Sequence, residues 1–174
     1  VNEELVAQLN FIRRGGLVKR YHTVNTINPN TVAHHSFGVA WLVHLLTDGC
    51  SYDLIIAALA HDLAEQVTGD ISSPTKRRFP VMAEMVQQME DEILESHGMF
   101  VQLTAADQRI LKMADCLDGM LFCINEIELG NAAVIEVYNR YQNYVQELKP
   151  LGREWFVFQA VRAIMNRRID VVSQ

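Results

Sequence analysis

The sequence is short of several things at once, and each shortage closes off a class of protein. Alternating apolar and polar stretches of the kind that form half-buried strands are almost absent. No apolar run approaches the roughly 20 residues of a membrane span. The longest, Leu54 to Ala60, is far too short, so a soluble chain with no membrane partner is expected. Cysteine is scarce. The three residues Cys50, Cys116 and Cys123 form no CxxC pair, and an odd number without a secretory h-region points to a reducing cytoplasm rather than a disulfide framework. They read as small buried apolar side chains. Positive charge is also in deficit, with a formal net charge of −6 and a pI of 5.5. Counterion release needs a dense basic surface, so stable nucleic-acid binding is not expected and any anion site must be local. There is no internal repeat, low-complexity tract or linker.

What is present is a helical pattern. With 174 residues and 49% apolar composition, the chain can bury most of its apolar surface in one domain spanning 1–174. Apolar residues recur at helical spacing, as in Met82, Met85, Val86, Met89, Ile93 and in Ile110, Leu111, Ala114, Leu117, Leu121. Punctuation divides the pattern into about seven helices. The first runs from Glu3 to Arg14 and the second from Thr31 to Thr47. The third is capped by Ser51 and ends near Glu65. The fourth covers Val81 to His97, and the fifth opens at Thr104 and closes at Leu129 before Gly130. Two more cover Ala132 to Leu148 and Arg153 to Ile169. Residues Gln66 to Pro80 read as a loop, because Gly69-Asp70 and Ser72-Ser73-Pro74 disfavour helix continuation. The expected fold is all-α, a helical bundle with one long functional loop.

Chemistry is concentrated where charge interrupts this apolar pattern. His61-Asp62 follows the most hydrophobic stretch of the chain, where ionisable groups are costly unless paired or bound to metal. Glu65 lies four and three residues further on, so all three can project toward one side of a helix. His35 in the second helix and Asp115 in the fifth interrupt apolar patterns in the same way. Imidazole nitrogen and carboxylate oxygen suit a divalent transition ion, and four protein ligands leave positions for water or phosphate. Consecutive helical residues point about 100° apart, so only one of His34 and His35 can face such an ion. His22, His44 and His97 show no partner pattern and read as ordinary residues. Lys112, one turn before Asp115, would face the same cleft.

Val32-Ala-His-His-Ser36, Ala60-His-Asp-Leu-Ala-Glu65, Thr68-Gly-Asp70, Pro74-Thr-Lys76 and Lys112-Met-Ala-Asp115 resemble the ordered motifs of HD-domain 5'-deoxynucleotidases. The resemblance runs from Arg20 to Asn131 and extends to compact phage HD enzymes that strip the whole triphosphate from dATP. It implies an HD-domain phosphohydrolase whose metal ligands are His35, His61, Asp62 and Asp115, selecting His35 over His34 because Ser36 follows. The implied ion is Zn2+, Co2+ or Mn2+, with a second Mg2+ or Co2+ joining alongside the substrate. Arg20 matches the arginine that holds the substrate phosphate, and Lys76 completes the Pro-x-Lys pattern. Tyr21 stands where the nucleotidases carry tryptophan and would wall the sugar or base.

The reaction so implied is hydrolysis of a deoxynucleotide at the α-phosphorus. Glu65 is expected to orient or deprotonate the attacking water, and Asp70 to help protonate the leaving 5'-oxygen, with the two roles exchangeable. Arg20, Lys76, Lys112 and Arg77 offer more positive charge than one phosphate requires. That surplus, with the resemblance of this short chain to the compact phage enzymes acting on dATP, makes a dATP-preferring dNTP triphosphohydrolase the favoured expectation. A 5'-deoxynucleotidase acting on monophosphates is the alternative, and a hydrolase of a signalling nucleotide such as (p)ppGpp a further one. The expected assembly is a cytoplasmic homo-oligomer, in the host cytoplasm if the chain is viral.

Overall fold

The computed structural model describes residues 2–172, with side chains through residue 167, so the outermost ends of the expected 1–174 domain lie outside it. Among these residues the helical periodicity is realised throughout. The order is α1 (Glu3–Gly15), α2 (Val32–Leu46), α3 (Tyr52–Ala60), α4 (Glu65–Thr68), α5 (Ser73–Arg78), α6 (Pro80–Ser96), α7 (Ala105–Glu128), a 3-10 turn at Ala132–Val134, α8 (Ile135–Glu147) and α9 (Arg153–Val172). Side-chain oxygens start several of them. Asn2 accepts from Leu5 N at 3.2 Å, Ser51 from Leu54 N at 3.1 Å and Thr104 from Asp107 N at 3.1 Å, each satisfying an amide that the first helical turn leaves without a partner. No helix among the described residues is long and apolar enough to cross a membrane.

Two elements differ from the sequence expectation. The third helix stops at Ala60 rather than near Glu65, because bonds of the i to i+3 type, Leu63 N to Ala60 O at 2.9 Å and Glu65 N to Asp62 O at 3.1 Å, tighten the chain there. No glycine or proline marks the break, so periodicity alone runs through it. The stretch Gln66 to Pro80 is not all loop. It contains the end of α4 and all of α5, whose first turn holds Pro74. Proline there forfeits no hydrogen bond and has a φ already suited to the helix.

Helix α7 is the axis of the fold, and α2, α3, α8 and α9 all pack against it. Val39, Leu42, Val43 and Leu46 of α2 meet Met113, Leu117, Met120 and Ile124 of α7, with Leu54 and Ala58 of α3 closing the same cluster. A second, smaller cluster joins Phe11, Val32, Ala60, Leu63, Ala64 and Leu94. His35 falls between Val32 of one cluster and Val39 of the other, and His61 follows Ala58 and Ala60, which belong to one cluster each. The ionisable residues singled out from the sequence therefore lie on the seam between two apolar masses.

The segment before α2 is folded back across this seam. Lys19 bridges Thr31, Arg20 N donates to Asn30 O at 3.0 Å and Val32 N to Val18 O at 2.9 Å, closing residues 21–30 into a loop. Tyr21 turns the chain with φ of 59°. That left-handed conformation costs a side-chain-bearing residue about 1–2 kcal/mol. Its ring is held in compensation by stacking on Phe122 of α7, centroids 4.5 Å apart.

Candidate active site

Four side chains from α2, the turn after α3, and α7 converge on the seam. His35 Nε2 lies 3.3 Å from His61 Nε2, 3.6 Å from Asp62 Oδ2 and 3.2 Å from Asp115 Oδ1. His61 Nε2 is 3.4 Å from Asp62 Oδ1. The ligand atoms of His35, His61 and Asp62 all lie within 4.8 Å of one another, and Asp115 joins from the His35 side. His34, by contrast, is exposed.

The far nitrogens of both rings are already committed. His35 Nδ1–H donates to Asp118 Oδ2 at 2.7 Å, and His61 Nδ1–H to the Ala58 carbonyl at 2.8 Å. Carboxylate and carbonyl oxygens only accept, so in the neutral rings both protons sit on Nδ1 and two lone pairs face each other across the seam. Burial and the Arg20 charge oppose a second proton on His35, but hydrogen bonds to Asp115 and Asp118 outweigh them and lift its pKa to about 9. Burial, joined by the charge of His35, pushes His61 the other way. The site thus calls for positive charge between these atoms. One proton satisfies one lone pair, whereas a divalent cation among them would satisfy both nitrogens and the carboxylates together, so the residues fit a metal ion of borderline hardness.

Around this cluster the charges are tightly paired. Arg20 donates to Asp62 and lies 3.8 Å from Asp115, while Lys112 Nζ meets Asp115 Oδ2 at 2.7 Å. Burial opposes ionisation of Asp115, but Lys112, His35 and Arg20 hold its carboxyl well below the usual carboxylate range. Glu65 is the exception. It is 5% exposed, its Oε2 has no hydrogen-bond partner among the described residues, and burial with the nearby Asp62 and Asp70 pushes its carboxyl up to about 9. Cation charge beside it would draw that value back down.

The cluster opens into a cleft of about 390 Å³, within the size range of small-molecule sites. Every sequence candidate outside the two imidazoles lines it: Glu65, Asp70, Arg20, Tyr21, Lys76 and Lys112, together with Asp62, Asp115 and Arg77. Arg78 does not, and instead lies over Phe79.

The structure adds residues that sequence reasoning passed over. Asp118 holds His35. His22, read as ordinary, has Nδ1 3.4 Å from Asp70 Oδ2. The whole wall contributed by α8, with Val137, Arg140, Tyr141 and Tyr144, faces the cleft, and the Tyr141 hydroxyl sits 3.3 Å from that of Tyr21. Their helical spacing was visible in the sequence, but nothing in one dimension says which cleft a helical face covers.

Comparison with known proteins gives the family and the fold. A 5'-deoxynucleotidase of Photobacterium profundum is 25% identical over 186 residues, covering 93% of this chain and 95% of its own. One from Vibrio parahaemolyticus is 27% identical over 170 residues, covering 84% and 88%. Among solved structures, an HD-domain phosphohydrolase from Listeria innocua superposes with a TM-score of 0.77 at 18% identity, covering 92% of this chain and 89% of that one. The HD phosphohydrolase of cyanophage S-2L, bound to dA and one catalytic Zn2+, superposes at 0.64 with 22% identity, covering 92% and 95%. The 5'-deoxynucleotidase YfbR-like family model matches residues 7–164, so the chain belongs to that family and is a hydrolase, with the fold of the HD-domain phosphohydrolases above.

Proposed function

We propose that the protein is a metal-dependent 5'-deoxynucleotidase, converting a deoxynucleoside 5'-monophosphate to the deoxynucleoside and phosphate. The observation that carries this reading is the pair of imidazole Nε2 atoms facing each other at 3.3 Å with Asp62 and Asp115 beside them, set at the base of a nucleotide-sized cleft. His35, His61, Asp62 and Asp115 hold the ion, with Zn2+ the leading candidate because the phage relative carries it. When bound, a divalent cation supplies Lewis-acid charge next to the phosphorus and makes an adjacent water more acidic. Arg20 grips the phosphate through its guanidinium. Glu65, with its unengaged carboxylate oxygen, takes the proton of the attacking water. Asp70, with His22 Nδ1 3.4 Å from its Oδ2, relays a proton taken up from solvent to the leaving 5'-oxygen. Tyr21 and Tyr141 form the wall against which the sugar lies.

The monophosphate is favoured over the triphosphate expected from the sequence. The curated relatives described above are named 5'-deoxynucleotidases, and much of the charge that suggested a triphosphate is engaged. Arg20 is bound to Asp62 and Lys112 to Asp115, leaving Lys76, Arg77 and Arg140 as the cations lining the cleft with no ion pair in the described structure. Those three are the specific observation that keeps a dATP-preferring dNTP triphosphohydrolase as the second reading. The deciding experiment incubates the metal-loaded enzyme with each dNMP, each dNTP and (p)ppGpp and resolves the products. Phosphate from dNMPs, with dNTPs left intact, is expected. Triphosphate released from dATP with dAMP untouched reverses the order, and turnover of (p)ppGpp alone replaces both readings.

A further inference from the structure

The seam contains one carboxylate that the reaction as described leaves without a task. Asp118 stands on α7 one turn beyond Asp115, just as Gly38 stands on α2 one turn beyond His35. Asp118 Oδ2 accepts from His35 Nδ1 at 2.7 Å, and its side chain is 16% exposed. That reach depends on position 38 having no side chain. A Cβ placed on Gly38 would fall 1.9 Å from Asp118 Oδ1 and 2.9 Å from its Cγ. An aspartate has too short an arm to swing clear of such a contact and still reach the imidazole. Glycine inside a helix is less stable than alanine by roughly 0.5–1 kcal/mol, and here what it supplies in return is space.

We infer that Asp118 is a positioning residue for His35 and that Gly38 is the clearance it requires. The carboxylate holds the ring proton on Nδ1, fixes the plane of the imidazole and turns the Nε2 lone pair toward His61, Asp62 and Asp115. A carboxylate partner also makes the coordinating nitrogen more basic. His61 receives the same orientation from the Ala58 carbonyl, a backbone group that no side-chain substitution removes. The two imidazoles are thus set by different means, one neutral and built into the helix, the other charged and dependent on a pair of residues on two helices. The inference rests on the reading of His35 as a cation ligand.

The test is competitive titration of Zn2+ against a chromophoric chelator, using the full chain stripped of metal. It compares wild type with Asp118→Asn, Asp118→Ala, Gly38→Ala, the double variant Gly38→Ala/Asp118→Ala and His35→Ala, each checked for wild-type helix content. Asp118→Ala is expected to weaken Zn2+ binding about 10- to 100-fold. Asp118→Asn should weaken it less, since the amide oxygen still accepts from Nδ1–H but carries no charge. Gly38→Ala should approach the Asp118→Ala value, and the double variant should be no worse than either single one, because both remove the same contact. Long-range ¹⁵N–¹H spectra should show His35 protonated on Nδ1 in the wild type and a tautomer mixture in Asp118→Ala, with His61 unchanged. Should Asp118→Ala fail to fold, Asp118→Asn and Gly38→Ala decide alone. Wild-type affinity in the Asp118 and Gly38 variants, alongside loss of binding in His35→Ala, overturns the positioning role and leaves the metal reading standing. Wild-type affinity in His35→Ala removes the metal reading itself.

Discussion

Asp115 and Glu126 lie about three turns apart on the same helix, both screened from solvent, and their surroundings could hardly differ more. Glu126 is fully buried. Its carboxylate accepts from Ile27 N at 2.6 Å, Asn28 N at 2.7 Å and Asn131 Nδ2 at 2.8 Å. Three neutral donors complete it, and it pins the 21–30 loop to α7. Asp115 stands instead among Lys112, Arg20 and His35, with a second carboxylate, Asp62, close by. Neutral donors satisfy a buried carboxylate and leave no valence over, whereas a crowd of charges and lone pairs leaves room for an ion and a phosphate. One region is finished by the chain itself, and the other by what it binds.

The sharpest way to break that contrast is to take a ligand from the unfinished region. His61→Ala and Asp115→Ala should each abolish both metal content and turnover while the chain stays helical, as metal analysis, kinetics and circular dichroism on the same preparations will show. Either variant keeping full metal occupancy and wild-type rate removes it from the ligand set. Glu65→Ala should behave differently. It should retain the metal and lose turnover by a factor of about 10² to 10⁴, the usual worth of a general base. Metal content measured before any kinetics separates the two outcomes, and loss of metal would move Glu65 in among the ligands.

How much of this was legible in the sequence follows from the same contrast. A charge interrupting an apolar helical pattern is a one-dimensional signal, and His35, His61, Asp62 and Asp115 all converge where that signal placed them. The caps at Ser51 and Thr104 were equally local. The end of α3 was not, because tightened turns at Ala60 to Glu65 use no breaker residue. Ser72-Ser73-Pro74 was read as a stop, although proline in a first turn serves as well for a start. Asp118 gives no such signal, since its partner His35 and the clearance at Gly38 both lie on another helix. Glu126 is silent for the same reason, two of its three donors, Ile27 N and Asn28 N, coming from far earlier in the chain.

Further from the ion, Lys76→Ala should cost about 10- to 100-fold in kcat/KM for the preferred substrate, the worth of one charge-assisted contact of about 1.5–3 kcal/mol. Run with dAMP and dATP side by side, it also sharpens the choice of substrate. A loss confined to dATP assigns Lys76 to the β and γ phosphates, and an equal loss on both assigns it to the reacting phosphate.

The smallest effect belongs to the finished region. Glu126→Gln keeps the shape of the side chain but points an amide N–H₂ at groups that are themselves donors, leaving a buried donor facing Ile27 N or Asn28 N. That should destabilise the fold by about 1–3 kcal/mol and, by loosening the loop that carries Tyr21 to Val24, raise KM more than it lowers kcat. Its pH dependence distinguishes this account from a simple packing defect. Burial opposes ionisation of Glu126, but hydrogen bonds from Asn131, Ile27 and Asn28 outweigh it and lower the folded-state pKa. A carboxyl depressed on folding contributes stability that is present above its unfolded pKa and lost as pH falls through the folded one. Urea midpoints should therefore separate wild type from Glu126→Gln at pH 7. The gap should begin to close as pH drops below the ordinary glutamate range, because protonated Glu126 then meets the same donors with a proton of its own. A gap that stays constant from pH 7 down to pH 3 would show that the carboxylate charge contributes nothing to holding the loop.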